Sequence, residues 1–339
     1  MIDGIREFEK LVPEVNDKNN YWLVRTMGGQ YFKDFIDKRF IAIGYNEITS
    51  STIRGLDEDI KVARRVLKEI YRGIKPDAKA PGQVANQLIR FYREIKVGDI
   101  VLVPGMNSFR IAICKVVGDV YDEVTARDDN GQCPFVKRLP VELLKIVSRR
   151  ELPPKAQFMF NSRHPISLIN DYCRYVDGSV SDFYNKAEET HIVLNIRTDD
   201  DVDASAFFHL QSLLKITEEY CREQGIEGKS SEVSMKVQME SKGMLHLSSK
   251  NKTFITVFAI FILGINGGGL KIDCGDFQLD LSTNGFFKNY SEYLDRKVDR
   301  DTRVSIKNAL DTMKISTPED FQKAALELYQ KQNEARDKY

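Results

Sequence analysis

Between Lys96 and Asp122 the chain reads KVGDIVLVPGMNSFRIAICKVVGDVYD. No other stretch restricts the fold so tightly. A charged turn, Lys96-Val97-Gly98-Asp99, launches an apolar run from Ile100 to Val103. A loop containing Pro104, Gly105, Asn107 and Ser108 follows, and a second apolar run from Ile111 to Val117 closes on Gly118-Asp119. Short runs of this kind, bounded by Gly, Pro, Asn and Ser, predict a β-hairpin with an irregular tip. The tip carries Met106 and Phe109, apolar groups that a solvated loop has no use for.

The flanks extend the pattern. Upstream, Asn20-Tyr21-Trp22-Leu23-Val24-Arg25 predicts an aromatic-led strand, and Phe40-Ile41-Ala42-Ile43-Gly44-Tyr45 predicts a second, ending on an aromatic beside a glycine. Downstream, a basic strand from Pro134 to Val141 runs into Leu144-Lys145-Ile146-Val147 and then Glu151-Leu152-Pro153-Pro154. In this order the pieces resemble the EVE branch of the PUA-like superfamily, to which YTH domains are related. The resemblance covers roughly residues 18–160. The chain departs from it in a longer charged insertion at roughly 50–80.

What the resemblance implies is a small curved β-barrel with flanking helices that holds one flipped nucleobase in an aromatic pocket. Stacking on an aromatic ring is worth roughly 1–3 kcal/mol per base and tolerates sequence variation. Flipping is cheapest for modified or unpaired bases. By position, Trp22, Tyr45, Met106 and Phe109 fit the pocket. Tyr45 resembles the first aromatic wall, and Phe109 or Met106 the opposite one. Asn46, Asn107 and Ser108 fit the polar edge of the base. Arg25, Lys33, Arg90, Arg93 and Arg110 fit its phosphates. Trp22, lying in a strand, suits a core equally well, and Arg90 and Arg93 suit a solvated helix face.

Charge agrees with this division. The formal net charge of the 339 residues is zero. Residues 1–150, however, hold 26 Lys and Arg against 21 Asp and Glu, and residues 151–339 hold 24 against 29. A modest positive excess is what a phosphate-contacting surface needs. The five cysteines, Cys114, Cys133, Cys173, Cys221 and Cys274, are scattered, odd in number and form no C-x-x-C. A disulfide framework or zinc site is therefore not expected. No metal or cofactor is implied. The first residues lack a basic stretch followed by an apolar one, so no signal peptide is expected and a reducing cytoplasm fits.

The expected fold class is α+β, in four segments: an arm or short helix at 1–17, the base-recognition domain at 18–152, a connector at 153–190 and a second α+β domain at 191–339. In the first domain, Leu56, Ile60, Ala63, Leu67 and Ile70 trace an amphipathic helix. Val84, Leu88, Phe91 and Ile95 trace another. In the connector, Pro165 opens a short helix through Ile169. The second domain starts with a strand at 191–196, a helix from about Asp203 to Gln224, and an alternating strand over 233–239 that pairs with 243–247. Two short strands, near 271–273 and 277–281, and a helical end follow, with Thr317 as an N-cap ahead of Pro318. Residues 253–270 contain no charge, a length at which a membrane span becomes thinkable. The dense apolar part is only Phe254 to Ile265, which favours a buried core element.

Enzyme motifs are sparse. There is no G-x-x-x-x-G-K-[ST], H-E-x-x-H or G-x-S-x-G. Glu240-Ser241-Lys242, with Asp200 or Asp203 upstream, is a weak match to a Mg²⁺-dependent nuclease site. Three readings follow. The first is a non-catalytic sensor of a modified base in DNA or RNA, or of a free nucleotide-like ligand. Its second domain would oligomerise or deliver an output, as in bacterial defence against phage. The second is a modification-dependent nuclease using Glu240 and Lys242. The third is a membrane-acting effector using 253–270, although stable membrane insertion is not expected.

Overall fold

The computed structural model describes residues 2–126, 132–198, 201–238, 243–266, 271–273, 278–280 and 285–336. It is a mixed α and β protein with a curved half-barrel sheet in its N-terminal half and a helical C-terminal region. The chain forms two compact units that do not follow sequence order: one is Lys18–Val180, and the other joins residues 1–17 to 181–339. Two expectations change. Residues 1–17 are not a separate arm, and most of 153–190 is not a connector.

The N-terminal residues join the second unit because they carry part of its core. Helix α1 (Ile2–Glu9) and the two-residue strand β1 (Glu14–Val15) frame Ile5, Phe8 and Val12, all buried there. The Phe8 ring lies 4.9 Å from that of Phe321.

The Lys18–Val180 unit is built on a sheet. Strand β2 (Tyr21–Val24) leads to helix α2 (Phe32–Asp37), strand β3 (Phe40–Ile43) and helices α3 (Ser50–Arg54), α4 (Ile60–Ile74) and α5 (Pro81–Ile89). The expected hairpin follows as β4 (Ile100–Pro104) and β5 (Arg110–Val116), then β6 (Tyr121–Asp122) and the long β7 (Lys137–Ser148). A short helix α6 (Pro154–Gln157), strand β8 (Ile166–Leu168) and helix α7 (Cys173–Val180) complete the unit. The strand order is β3-β7-β5-β4-β2-β8, with β6 also on β7. Only β2 and β4 run parallel.

The charged turn before β4 has a structural purpose. The Asp99 carboxylate accepts hydrogen bonds from the amides of Asn20 and Lys96 and from the Trp22 indole, at 2.9, 3.0 and 2.8 Å. It thereby fixes β2 beside β4. Gly98 takes φ +95°, which a side chain would strain. Helix α4 starts at Ile60 because Asp59 caps it, accepting from the amides of Lys61 and Val62. It buries Ala63, Leu67 and Tyr71. The segment after Pro165 is the strand β8 rather than a helix. It pairs antiparallel with β2 and so satisfies that strand's second edge.

The second unit is a sheet of order β1-β9-β10-β12-β11, from β9 (Phe183–Lys186), β10 (Glu189–Asn195), β11 (Ser234–Gln238) and β12 (Met244–Ser249). The helices here are α8 (Ala204–Glu223), α9 (Lys252–Asn266), α10 (Gly285–Lys297), α11 (Arg300–Thr312) and α12 (Glu319–Arg336), beside a ribbon of β13 (Lys271–Asp273) and β14 (Gln278–Asp280). Helix α9 is the centre of the core: every residue from Phe254 to Ile265 is buried. At 15 residues it falls short of the roughly 20 a bilayer needs. No helix among the described residues is long and apolar enough to cross a membrane. The α12 cap is not Thr317. The Asp182 carboxylate, distant in sequence, accepts from the amides of Glu319 and Asp320 at 2.7 and 2.9 Å. Burial raises its pKa to about 6.

Candidate functional site

The tip of the β4–β5 hairpin meets the loop that leaves β2, and together they form a cleft of about 210 Å³. Its lining is Arg25, Thr26, Gly28 and Gly29 from the β2 side and Pro104, Gly105, Asn107 and Ser108 from the hairpin. That volume is below the roughly 300–1,000 Å³ of drug-sized ligand sites and on the scale of one planar heterocycle.

Backbone geometry makes the cleft. After β2, Met27, Gly28 and Gly29 all take positive φ, at +52°, +70° and +105°. The turn closes with the Gly29 and Tyr31 amides donating to the Thr26 carbonyl, both at 3.2 Å. A Cβ on Gly29 would lie 2.3 Å from the Met106 nitrogen, so only glycine lets the two loops approach this closely. The Thr26 hydroxyl donates to the Pro104 carbonyl at 2.7 Å and ties the loops together. The tip is a tight turn in which Asn107 and Ser108 both adopt left-handed φ, +52° and +56°. The Ser108 amide donates to the Gly105 carbonyl at 2.9 Å, and the Arg149 amide to the Phe109 carbonyl at 2.9 Å.

This conformation leaves polar groups unengaged. Among the described residues, the side chains of Asn107 and Ser108 make no hydrogen bond within the protein, although Ser108 is buried. Met106 and Phe109 stand beside them 69% and 58% exposed, with Met27 63% exposed on the facing loop. The cleft thus combines an amide and a hydroxyl that bond nothing else among the described residues with a cation, and exposed apolar side chains adjoin them in the chain. Arg25 is held from behind: Nε donates to the Ser162 carbonyl at 2.9 Å, and Nη2 donates to the carbonyls of Phe160 and Ser162, at 2.6 and 2.5 Å. Burial, and then the field of Arg149, lower its pKa.

The structure separates the residues the sequence had grouped. Arg25, Asn107 and Ser108 line the cleft; Met106 and Phe109, on either side of the latter two in the chain, are exposed but are not among its lining residues. Trp22 is a core residue, 2% exposed and bonded to Asp99, and forms no wall. Tyr45 does not face Phe109. It follows Ile43, which pairs with Lys137 at the start of β7, whereas Arg110 pairs with Ser148 at its end. Those positions are eleven residues apart, on the order of 30 Å of extended chain. Tyr45 packs edge-on to Tyr71 at 6.0 Å instead.

Asn46 is a structural clamp whose amide donates to the Pro134 carbonyl and accepts from the Val136 amide. Arg90 donates to the Ile166 carbonyl, and Arg93 to the carbonyls of Leu56 and Asp57, so both bind their own chain. Lys33 is exposed on α2, next to Phe32, whose ring borders Gly105. Arg110 is exposed at the first position of β5. Glu240 and Lys242 lie outside the described residues, as does Asp200. Asp203 caps α8 by accepting from the Ser205 amide. Among the described residues no group of three or more His, Cys, Asp or Glu is placed to hold a metal.

Sequence reasoning missed Thr26, Gly28, Gly29 and Arg149. The Gly28-Gly29 pair directly after a strand is a usable signal, because adjacent glycines there mark a backbone approached closely by something else. Residues 21–151 match the family model described as Domain of unknown function (DUF8426), a span that contains every residue lining the cleft. No curated protein matches the chain.

Proposed function

We propose that the cleft receives one nucleobase, flipped from a strand of DNA or RNA and carrying a modification, and that the protein is a sensor of that base. The reading is of an EVE-like domain of the PUA-like superfamily. Its main support is the pair of unengaged Asn107 and Ser108 side chains at one small cleft, with the exposed Phe109 next to them in the chain. Phe109 supplies a stacking face, Asn107 and Ser108 supply bonds to the base edge, and Arg25 is the nearest cation for a phosphate. Small, specific pockets of this kind discriminate because a base lacking the matching edge leaves buried polar groups unpaired.

The second unit acts in this reading as the output or assembly module, within bacterial defence against phage. Fold-level analogy is the warrant for that part. Nothing at the described residues favours nuclease chemistry over it.

The test is binding of the full chain to oligonucleotides, single- and double-stranded, unmodified or carrying methylated or hydroxymethylated bases, at two salt concentrations. Tight binding to one modified base is expected, weakened about tenfold or more by Phe109→Ala and by Asn107→Ala. Equal binding to all oligonucleotides with steep salt dependence, or binding to none, would overturn the reading.

A further inference from the structure

Arg25 and Arg149 both contact Phe160. Arg25 bonds to the carbonyl of Phe160, and Arg149 lies over the ring of the same residue, its guanidinium carbon 5.4 Å from the ring centroid. Among the described residues neither forms an ion pair, and the Arg149 side chain makes no hydrogen bond. The charge of Arg149 acts on Arg25. Holding like charges together at a half-buried position is unfavourable unless something negative bridges them. Elsewhere in the same unit, arginines have such partners: Arg64 pairs with Glu94, and Arg72 with Glu69.

We infer that Arg25 and Arg149 form a seat for one phosphate, the one adjoining the base that the cleft receives. This deepens the proposed function and rests on it for the identity of the ligand. Arg149 offers its fork of N–H donors to a tetrahedral oxyanion, which a lysine does not reproduce, and Arg25 adds Nη1, its Nε and Nη2 being bonded to carbonyls. Both arginines are fixed by the main chain on either side of the tip. The Arg25 amide donates to the Pro165 carbonyl at 2.9 Å, and the Arg149 amide bonds to the Phe109 carbonyl. A phosphate held there would be read at a set distance from Phe109, so the clamp would define which nucleotide enters rather than merely attract the strand.

Two measurements separate this inference from the base reading. In the first, wild type, Arg149→Gln and Arg149→Lys are titrated with the tightest-binding oligonucleotide of the panel above, across a salt series. Arg149→Gln should weaken binding about tenfold and lower the slope of log K against log salt by about one, leaving base preference intact. Arg149→Lys should restore the slope but only part of the affinity. A methylphosphonate beside the modified base should weaken wild type and leave Arg149→Gln unaffected. If Arg149→Gln changes neither affinity nor slope, the clamp is wrong and the reader stands. The second measurement follows the arginine Nε–Hε resonances of the free protein during titration with inorganic phosphate and with a nucleoside 5′-monophosphate. Shifts at Arg25 and Arg149 in a protein that binds no oligonucleotide would keep the anion seat and remove the base reading. No shift with either probe would overturn the seat.

Discussion

At the Lys137 end of β7 two cations are bonded to the protein's own carbonyls; at the Ser148 end Arg25 is bonded in the same way, but the Arg149 side chain makes no hydrogen bond among the described residues. Lys137 is 1% exposed, and its ammonium donates to the carbonyls of Tyr45 and Ile48, both at 3.0 Å. Arg138 donates to the carbonyls of Phe135 and Cys133 and lies 4.0 Å above the Phe40 ring. At the other end Arg25 lines the cleft and donates to the carbonyls of Ser162 and Phe160, and Arg149 lies over the Phe160 ring. One end of the strand thus carries cations bonded to carbonyls, and the other an arginine, Arg149, without a hydrogen-bond partner among the described residues. In the proposed reading, that difference is what leaves Arg149, and not Lys137 or Arg138, available to a ligand.

The strongest way to break the comparison is Lys137→Met. It leaves two buried carbonyls without a donor and should cost about 3 kcal/mol of stability. Trp22, the chain's single tryptophan, reports the unfolding of this unit. Fluorescence-detected urea unfolding should therefore show the loss, while oligonucleotide affinity of the folded protein stays within twofold. Arg149→Gln should do the reverse. Equal destabilisation by both substitutions would erase the distinction between the two ends.

Next in size is a pair of glycines. Gly29→Ala places a methyl group against the Met106 backbone at a φ of +105°, and should cost about 2–3 kcal/mol and displace the hairpin tip. Gly28→Ala, at φ +70° with open space around it, should cost about 1 kcal/mol and leave binding intact. A Gly29→Ala protein with unchanged stability and affinity would mean that the close approach of the two loops is not what shapes the cleft.

The strands were readable because the hairpin, the aromatic-led strand and the basic strand each announce themselves by local pattern. The tip was readable in part: Met106 and Phe109 in a Gly-Asn-Ser loop had no core to serve. Long-range closure was not. Nothing near Pro165 says that β8 returns to β2, and nothing in Thr317-Pro318 says that Asp182 caps α12. The grouping of Tyr45 with Phe109 failed for the same reason, since only the length of β7 shows that the two residues sit at opposite ends. Likewise, Arg90 and Arg25 look alike in sequence and both donate to main-chain carbonyls, but only Arg25 is among the residues lining the cleft.

The smallest expected effect concerns acid. The Lys137 end is also held by carboxylates. Burial pushes the Asp34 carboxyl up, but the Cys133 amide and the Lys38 ammonium outweigh it and hold its pKa below the ordinary value. Burial likewise pushes Glu47 up, and its ion pair with Lys75 at 2.6 Å outweighs that. With both pKa values depressed on folding, the unfolded chain takes up protons first as pH falls. The contribution is complete above the ordinary carboxylate range and is lost as pH falls below about 4. Its size is about 1 kcal/mol for the two together, because both groups keep some solvent contact. Asp34→Asn with Glu47→Gln should therefore lower the Trp22-detected urea midpoint at pH 7 and shrink the further drop between pH 7 and pH 3.5. Among the described residues no carboxylate forms an ion pair with Arg25 or Arg149, so losing those two carboxylates should leave that end of the strand untouched in free protein. If the double variant loses as much stability on acidification as wild type, those two carboxylates are not what holds the closed end, and its rigidity rests on Lys137 and Arg138 alone.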